Sequence, residues 1–226
     1  MASTLYDQLT QRIAAHFQKL KSQNIFYQRI FSGQLTVDEL VLFIKNVSYL
    51  TSYTPVHLNM AQDAAEKRGL KHLAAYFKAK KKEEAGHDQW GENDIQGIAA
   101  SFPVSIKNLP VLPEMKTYVA ANEDLIKKDP YLYFVYILFA EYYTVIAAPE
   151  SLSAIEKHCK VPKDLVSIIS NHAELDKHHV EEWAEEAREV GIDPQRSREY
   201  LEALEQIFKR YDAFCQALSR SHAKAA

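Results

Sequence analysis

The sequence predicts an all-α protein, a single helical domain over 1–226 with seven or eight helices. Three observations predict it. Apolar residues recur at helical spacing along nearly the whole chain. Strand-like alternation is almost absent. Only 6 Gly and 8 Pro are present, too few for a turn-rich all-β fold. No internal repeat, low-complexity tract or interdomain linker divides the chain.

The elements follow in order. Residues 5–20 are amphipathic, with Ile13, Phe17 and Leu20 on one face. Phe26-Tyr27 and Ile30-Phe31 make a short apolar stretch closed by Ser32-Gly33, a turn signal. Thr36-Val37-Asp38-Glu39 is a capping box that opens a helix running to about Tyr53, and Pro55 starts or kinks the next. Gly69 separates that segment from a helix over 71–94. Residues 97–113, with Pro103, Pro110 and Pro113, read as the clearest loop. A helix over 114–127 follows. Asp129-Pro130 starts an apolar helix, with Pro in the first turn. Residues 149–158 read as a short helix. Residues 162–190 form a long one stopped by Gly191. Asp193-Pro194 caps a last helix to about Ser221.

Composition narrows the class. Apolar residues are 47% and charged residues 25% of 226, ordinary for a globular chain and too apolar for disorder. The 27 basic residues against 30 acidic ones leave −3, so no basic balance points to nucleic acid. Cys159 and Cys215 give no disulfide framework and no CxxC pair, which fits a reducing cytoplasm. The first residues show no basic start followed by an apolar core. Residues 131–148 carry one charge, Glu141, in an otherwise apolar run. A membrane span is rejected there. A charge at the bilayer centre costs about 2.5–3.5 kcal/mol, and five tyrosines and two bounding prolines suit the core helix of a bundle.

That helix makes Glu141 a carboxylate in an apolar interior. Such a group needs a cation, a metal or a proton. An ion pair with Lys or Arg is the plain alternative. A second group lies at 172–179. His172, Asp176 and His179, at i, i+4 and i+7, share a stripe about 60° wide on their helix. Imidazole with carboxylate suits iron, manganese or zinc. A third group is Glu83-Glu84-Ala85-Gly86-His87, where either acid straddles the face of His87. Gly86 and Gly91 inside that predicted helix imply close packing or a bulge. Together the groups offer three His and three carboxylates, with Glu83 or Glu84 as one of them. One metal needs about three such donors, and six with bridging carboxylates hold two. The second ExxH of ferritin-like bundles is missing, because Thr144 stands three residues after Glu141.

At these residues the chain resembles a known family, the heme-oxygenase-like di-iron oxidases, also called iron-containing redox enzymes. It looks most like their branch around the Chlamydia protein associating with death domains. Phe26-Tyr27 through Ser32-Gly33, Leu35-Thr36 and Glu39-Leu40 is similar to that family's first helix pair. Glu83-Glu84-x-Gly86-His87-Asp88-x-Trp90 resembles its first ligand helix. Glu141 stands at its middle Glu, and His172-x3-Asp176-x2-His179 matches its last ligand helix. The resemblance implies a heme-oxygenase-like bundle, a fold also found in thiaminase II and pyrroloquinoline-quinone synthase. It implies two Fe per chain, with Mn or Zn as substitutes, and O2 as co-substrate. It implies oxidation of a small organic molecule: oxidative decarboxylation, fragmentation, N-oxygenation or amine formation. An electron donor and a homodimer are further implications. Glu141, His172 and Asp176 would act as catalytic metal ligands. Ser151 stands where the Chlamydia protein has a lysine, which separates this chain from self-sacrificing p-aminobenzoate synthesis.

Lys78, Lys80, Lys81 and Lys82 read mainly as a solvated face, but Lys80 shares the stripe of His87 and reaches toward a substrate carboxylate. Tyr27 and Tyr53 join it as candidate pocket residues. The rival readings are a non-catalytic metal- or small-ligand-binding protein of the same fold, and a thiaminase II-like metal-free enzyme.

Overall fold

A computed structural model describes residues 4–223. Nine α-helices make up the described chain: α1 (Leu5–Gln23), α2 (Ile25–Ser32), α3 (Val37–Lys67), α4 (Lys71–Glu83), α5 (Asp88–Ser101), α6 (Pro113–Lys128), α7 (Pro130–Cys159), α8 (Ser167–Glu189) and α9 (Ser197–Ala223). Short 3₁₀ turns precede α8 and α9, and the described residues hold no strand. The all-α reading therefore holds.

The apolar helix is the centre of the bundle. α7 packs against α1, α2, α3, α6, α8 and α9. A helix apolar on every side needs protein on every side. By length and composition α7 is apolar enough to cross a membrane, but 67% of its most apolar window is buried inside the protein. Phe134 of α7 shows how the layers meet. Trp183 of α8 stacks on it at 5.1 Å, and Tyr76 of α4 meets it edge-on at 4.9 Å.

Local signals set most of the boundaries. Thr36 and Glu39 form the expected capping box, and Arg29 of α2 also reaches Glu39 at 2.8 Å, tying α2 to α3. Asp129 caps α7 by accepting from the Tyr131 amide at 3.0 Å. Gly33 ends α2 in the left-handed region, with the His158 ring lying where a Cβ would point.

Five boundaries differ from the sequence reading, one being the helix expected over 162–190, which begins at Ser167 after a 3₁₀ turn over Lys163–Leu165. The helix expected over 71–94 is two helices, broken at Glu84–His87, where Gly86 takes φ 89. Helix α5 then runs on to Ser101, so the loop is 102–112 rather than 97–113. Pro55 and Pro149 lie inside α3 and α7 instead of starting new helices. Each removes one backbone donor, and the long packed flanks carry the helix through.

Candidate metal centre

Four helices deliver donors to one place. Lys80 and Glu84 stand at the C-terminal end of α4, and His87 leads into α5. Glu141 lies midway along α7, and His172, Asp176 and His179 lie on α8. The α8 stripe faces inward, with Asp176 buried and the His172 and His179 side chains 18% and 21% exposed, and Glu141 of α7 is buried beside it.

The donors fall into two groups of three. Glu84, His87 and His172 form one, and Glu141, Asp176 and His179 the other, with ligand atoms within 4.8 Å of one another in each. In the first, His87 Nδ1 lies 3.2 Å and His172 Nε2 3.9 Å from Glu84 Oε2. In the second, His179 Nδ1 lies 3.4 Å from Glu141 Oε1 and 3.5 Å from Asp176 Oδ1. The Lys80 ammonium also reaches in, 2.6 Å from Glu141 Oε1.

Supporting contacts fix the donors. The Nδ1–H of His172 donates to the Ile168 carbonyl, which leaves Nε2 as the ring nitrogen facing Glu84. Asp94 of α5 accepts from the Ser167 hydroxyl at 2.6 Å and the Ile168 amide at 2.8 Å, pinning the first turn of α8. The His87 ring stacks on Trp90 at 4.1 Å. Gly91 lets α5 approach, since a Cβ there would sit 2.7 Å from Ser48 Cβ and 2.9 Å from Ile168 Cδ1.

Burial and charge pull against each other here. Burial raises the Glu84 carboxyl, but His172 and His87 outweigh it and hold it well below the usual carboxylate range. Asp176 is raised by burial. The Asp176 and Glu141 carboxylates lift His179 to about 10. Burial lowers Lys80, and Glu141 more than restores it. Glu186, further along α8, is raised by burial to about 7.

A metal fits these residues. Lys80 pairs with Oε1 of Glu141, but the buried Oε2 of Glu141 has no hydrogen-bond partner among the described residues, and the buried Nδ1 of His179 has only carboxylate oxygens at 3.4 and 3.5 Å beside it. Buried polar atoms left this way are costly unless something else engages them. Each group supplies three N/O donors, a number that leaves open coordination positions.

Of the predicted residues, Glu84, His87, Glu141, His172, Asp176 and His179 come together. Glu83 does not join either group. Its side chain is 53% exposed, and the break after α4 turns Glu84, not Glu83, toward His87. Lys80 lines a cavity of about 140 Å³ together with Glu84, Glu141, His172 and Asp176. Tyr27 lines a second, apolar cavity of about 140 Å³, and the two share Val47, Leu50, Tyr136, Ala140, Thr144 and Ile169 as a common wall. Tyr53 lines neither. It packs on Tyr49 and His57, so its pocket assignment is corrected to a packing role. Asp94, Tyr76 and Glu186 went unnoticed in the sequence. Tyr76 carries a buried hydroxyl without a hydrogen-bond partner among the described residues, raised well above its usual value by burial and by Glu141. Helical spacing offered a signal for two of them, since Tyr76 lies one turn before Lys80 and Glu186 two turns after His179.

No protein-family model matches the chain, and no curated protein matches it in sequence. Solved structures do. A Shewanella denitrificans domain of unknown function with a heme oxygenase-like fold is similar at TM-score 0.83 and 16% identity, over 96% of this chain and 92% of that one. A CADD-like protein of unknown function from Nostoc punctiforme is similar at TM-score 0.70 and 15% identity, over 96% and 97%. A second structure of the Nostoc protein gives TM-score 0.62 at 15% identity, over 97% and 96%. The chain has a heme oxygenase-like helical fold. Within that fold it carries two groups of candidate metal ligands.

Proposed function

We propose that this protein is an O2-dependent non-heme di-iron oxidase or oxygenase acting on a small organic substrate. One observation supports the reading: two three-donor groups stand side by side, and Glu84 and His172 of one and Glu141 and Asp176 of the other line the same cavity. Glu84, His87 and His172 hold one ion, and Glu141, Asp176 and His179 the other. Bound iron supplies the reductive activation of O2 and the oxidising power toward the substrate.

The chain's own part is binding, orientation and exclusion of water. His172 presents Nε2 because Ile168 engages Nδ1. Val47, Leu50, Ile137 and Ile169 give the cavity an apolar wall that keeps bulk water out and holds a hydrocarbon portion beside the donors. Glu186 and the Tyr76 hydroxyl keep protons near Glu141, since both are raised by burial.

A thiaminase II-like reading has less support. Burial raises the Cys159 thiol, and Cys215 is fully buried and raised well above the ordinary range, so neither is an activated nucleophile. The two free thiols fit a reducing cytoplasmic setting. A solely structural reading rests on the Lys80–Glu141 ion pair and the His87 and His172 contacts to Glu84, and it leaves the buried Oε2 of Glu141 without a partner among the described residues.

The test is metal analysis with anaerobic Fe(II) titration, followed by O2 uptake with candidate substrates. About two irons per chain and substrate-dependent O2 consumption are expected. Absence of specific iron binding overturns the proposal. Binding without O2 consumption reduces the protein to a metal carrier.

A further inference from the structure

We infer that Lys80 is a resident cation governing the second donor group: an ion entering Glu141–Asp176–His179 displaces the Lys80 ammonium from Glu141 onto Glu83, so the two groups load in sequence. The inference rests on the metal-centre reading above and gives it an order.

The two groups differ in one respect. Among the described residues, no Lys or Arg lies in ion-pair range of Glu84, whose partners there are His87 and His172. Glu141 has Lys80 at 2.6 Å, and Lys80 is only 5% exposed. A divalent ion held by Glu141 therefore meets a unit positive charge at close range in a poorly solvated pocket. Coulomb repulsion there is large, and the oxygen facing Lys80 is shared.

A second carboxylate stands ready to receive the lysine. Glu83 Oε2 is 3.6 Å from Lys80 Nζ and reaches outward, half-exposed. The same Glu83 oxygen lies 3.7 Å from His179 Nε2. Turning the lysine tip from the buried acid to the exposed one keeps the ammonium paired and frees Glu141. This gives Glu83 a role without making it a ligand. The Glu84–His87–His172 group meets no such competitor and fills first.

The test is anaerobic titration of the full chain with Co(II), read by its absorption bands, and with Fe(II), read by metal analysis after desalting. Wild type is expected to fill in two phases, the second weaker. Lys80→Met should tighten the second phase by roughly tenfold or more and leave the first unchanged. Glu83→Gln, a change at a half-exposed position, should weaken the second phase severalfold while keeping both. Lys80→Gln repeats the charge removal with a polar side chain if the methionine variant folds poorly. Two ions with an unchanged or weaker second phase in the lysine variants overturn the inference and leave the metal centre standing. Loss of a whole phase in Glu83→Gln also overturns it, by making Glu83 a ligand. No Co(II) or Fe(II) in any variant overturns the inference and the metal centre together.

Discussion

Asp94 is the residue through which α5 holds α8. It takes the Ser167 hydroxyl and the Ile168 amide, and the Ile168 carbonyl in turn takes Nδ1 of His172. Asp94→Ala strips a buried amide of its acceptor and lets the His172 ring turn. A loss of about 1–3 kcal/mol is expected, seen as a lower Tm, with weaker metal binding in the first phase of the titration. Asp94→Asn should recover part of both. His172→Ala should remove the first phase and leave the second. At this scale the sequence was informative where spacing alone decides, as for His172, Asp176 and His179 on one continuous helix. It left Glu83 and Glu84 open because that choice depends on where α4 stops. Asp94 escaped because its partners lie 73 and 74 residues away.

The break between α4 and α5 belongs to the scale of elements. Gly86 holds φ 89, a conformation that costs a side-chain-bearing residue about 1–2 kcal/mol. Gly86→Ala is expected to lower stability by about that much and to shift Glu84 relative to His87, measurable as weaker first-phase metal binding. Gly91→Ala acts differently. Its added Cβ meets Ser48 Cβ, which pushes α5 off α3, and overpacking of this kind costs about 1–3 kcal/mol. Thermal unfolding of the two variants, with metal titration beside it, separates a local turn effect from a displaced helix. The glycines marked close packing in the sequence, and Gly91 obeys that reading. Gly86 ends a helix instead. Pro55 and Pro149 misled in the other direction, because a residue that breaks an isolated helix is tolerated in one buried and packed over several turns.

For the molecule as a whole, stability is tied to what its interior keeps neutral. His57 is 1% exposed and burial lowers it from 6.5 to about 4. Its folded pKa lies below its unfolded one, so the stability it confers is full above pH 6.5 and is lost as pH falls toward 4. The loss amounts to roughly 3 kcal/mol. The measurable sign is a Tm that drops between pH 6.5 and pH 4 in wild type and drops less in His57→Gln. Chelation should act through the same bookkeeping, since an ion bound only to the folded chain raises Tm in proportion to its occupancy. A Tm unaffected by chelator in metal-loaded protein would separate the donor groups from folding. The fold class was legible because a bundle is written in helical periodicity. The two neighbouring cavities were not, since even the wall they share comes from α3, α7 and α8 together.

Asp94 also has a mechanical consequence. The clasp it makes ties the start of α8 to α5, and these two helices carry His87, His172, Asp176 and His179. Glu141 comes from α7, and Glu84 from the end of α4. The clasp therefore fixes the imidazoles and Asp176 in mutual register and leaves Glu141 and Glu84 as the two acids it does not hold. Those two carboxylates, which tolerate several binding angles, are the donors free to adjust to the size of an ion.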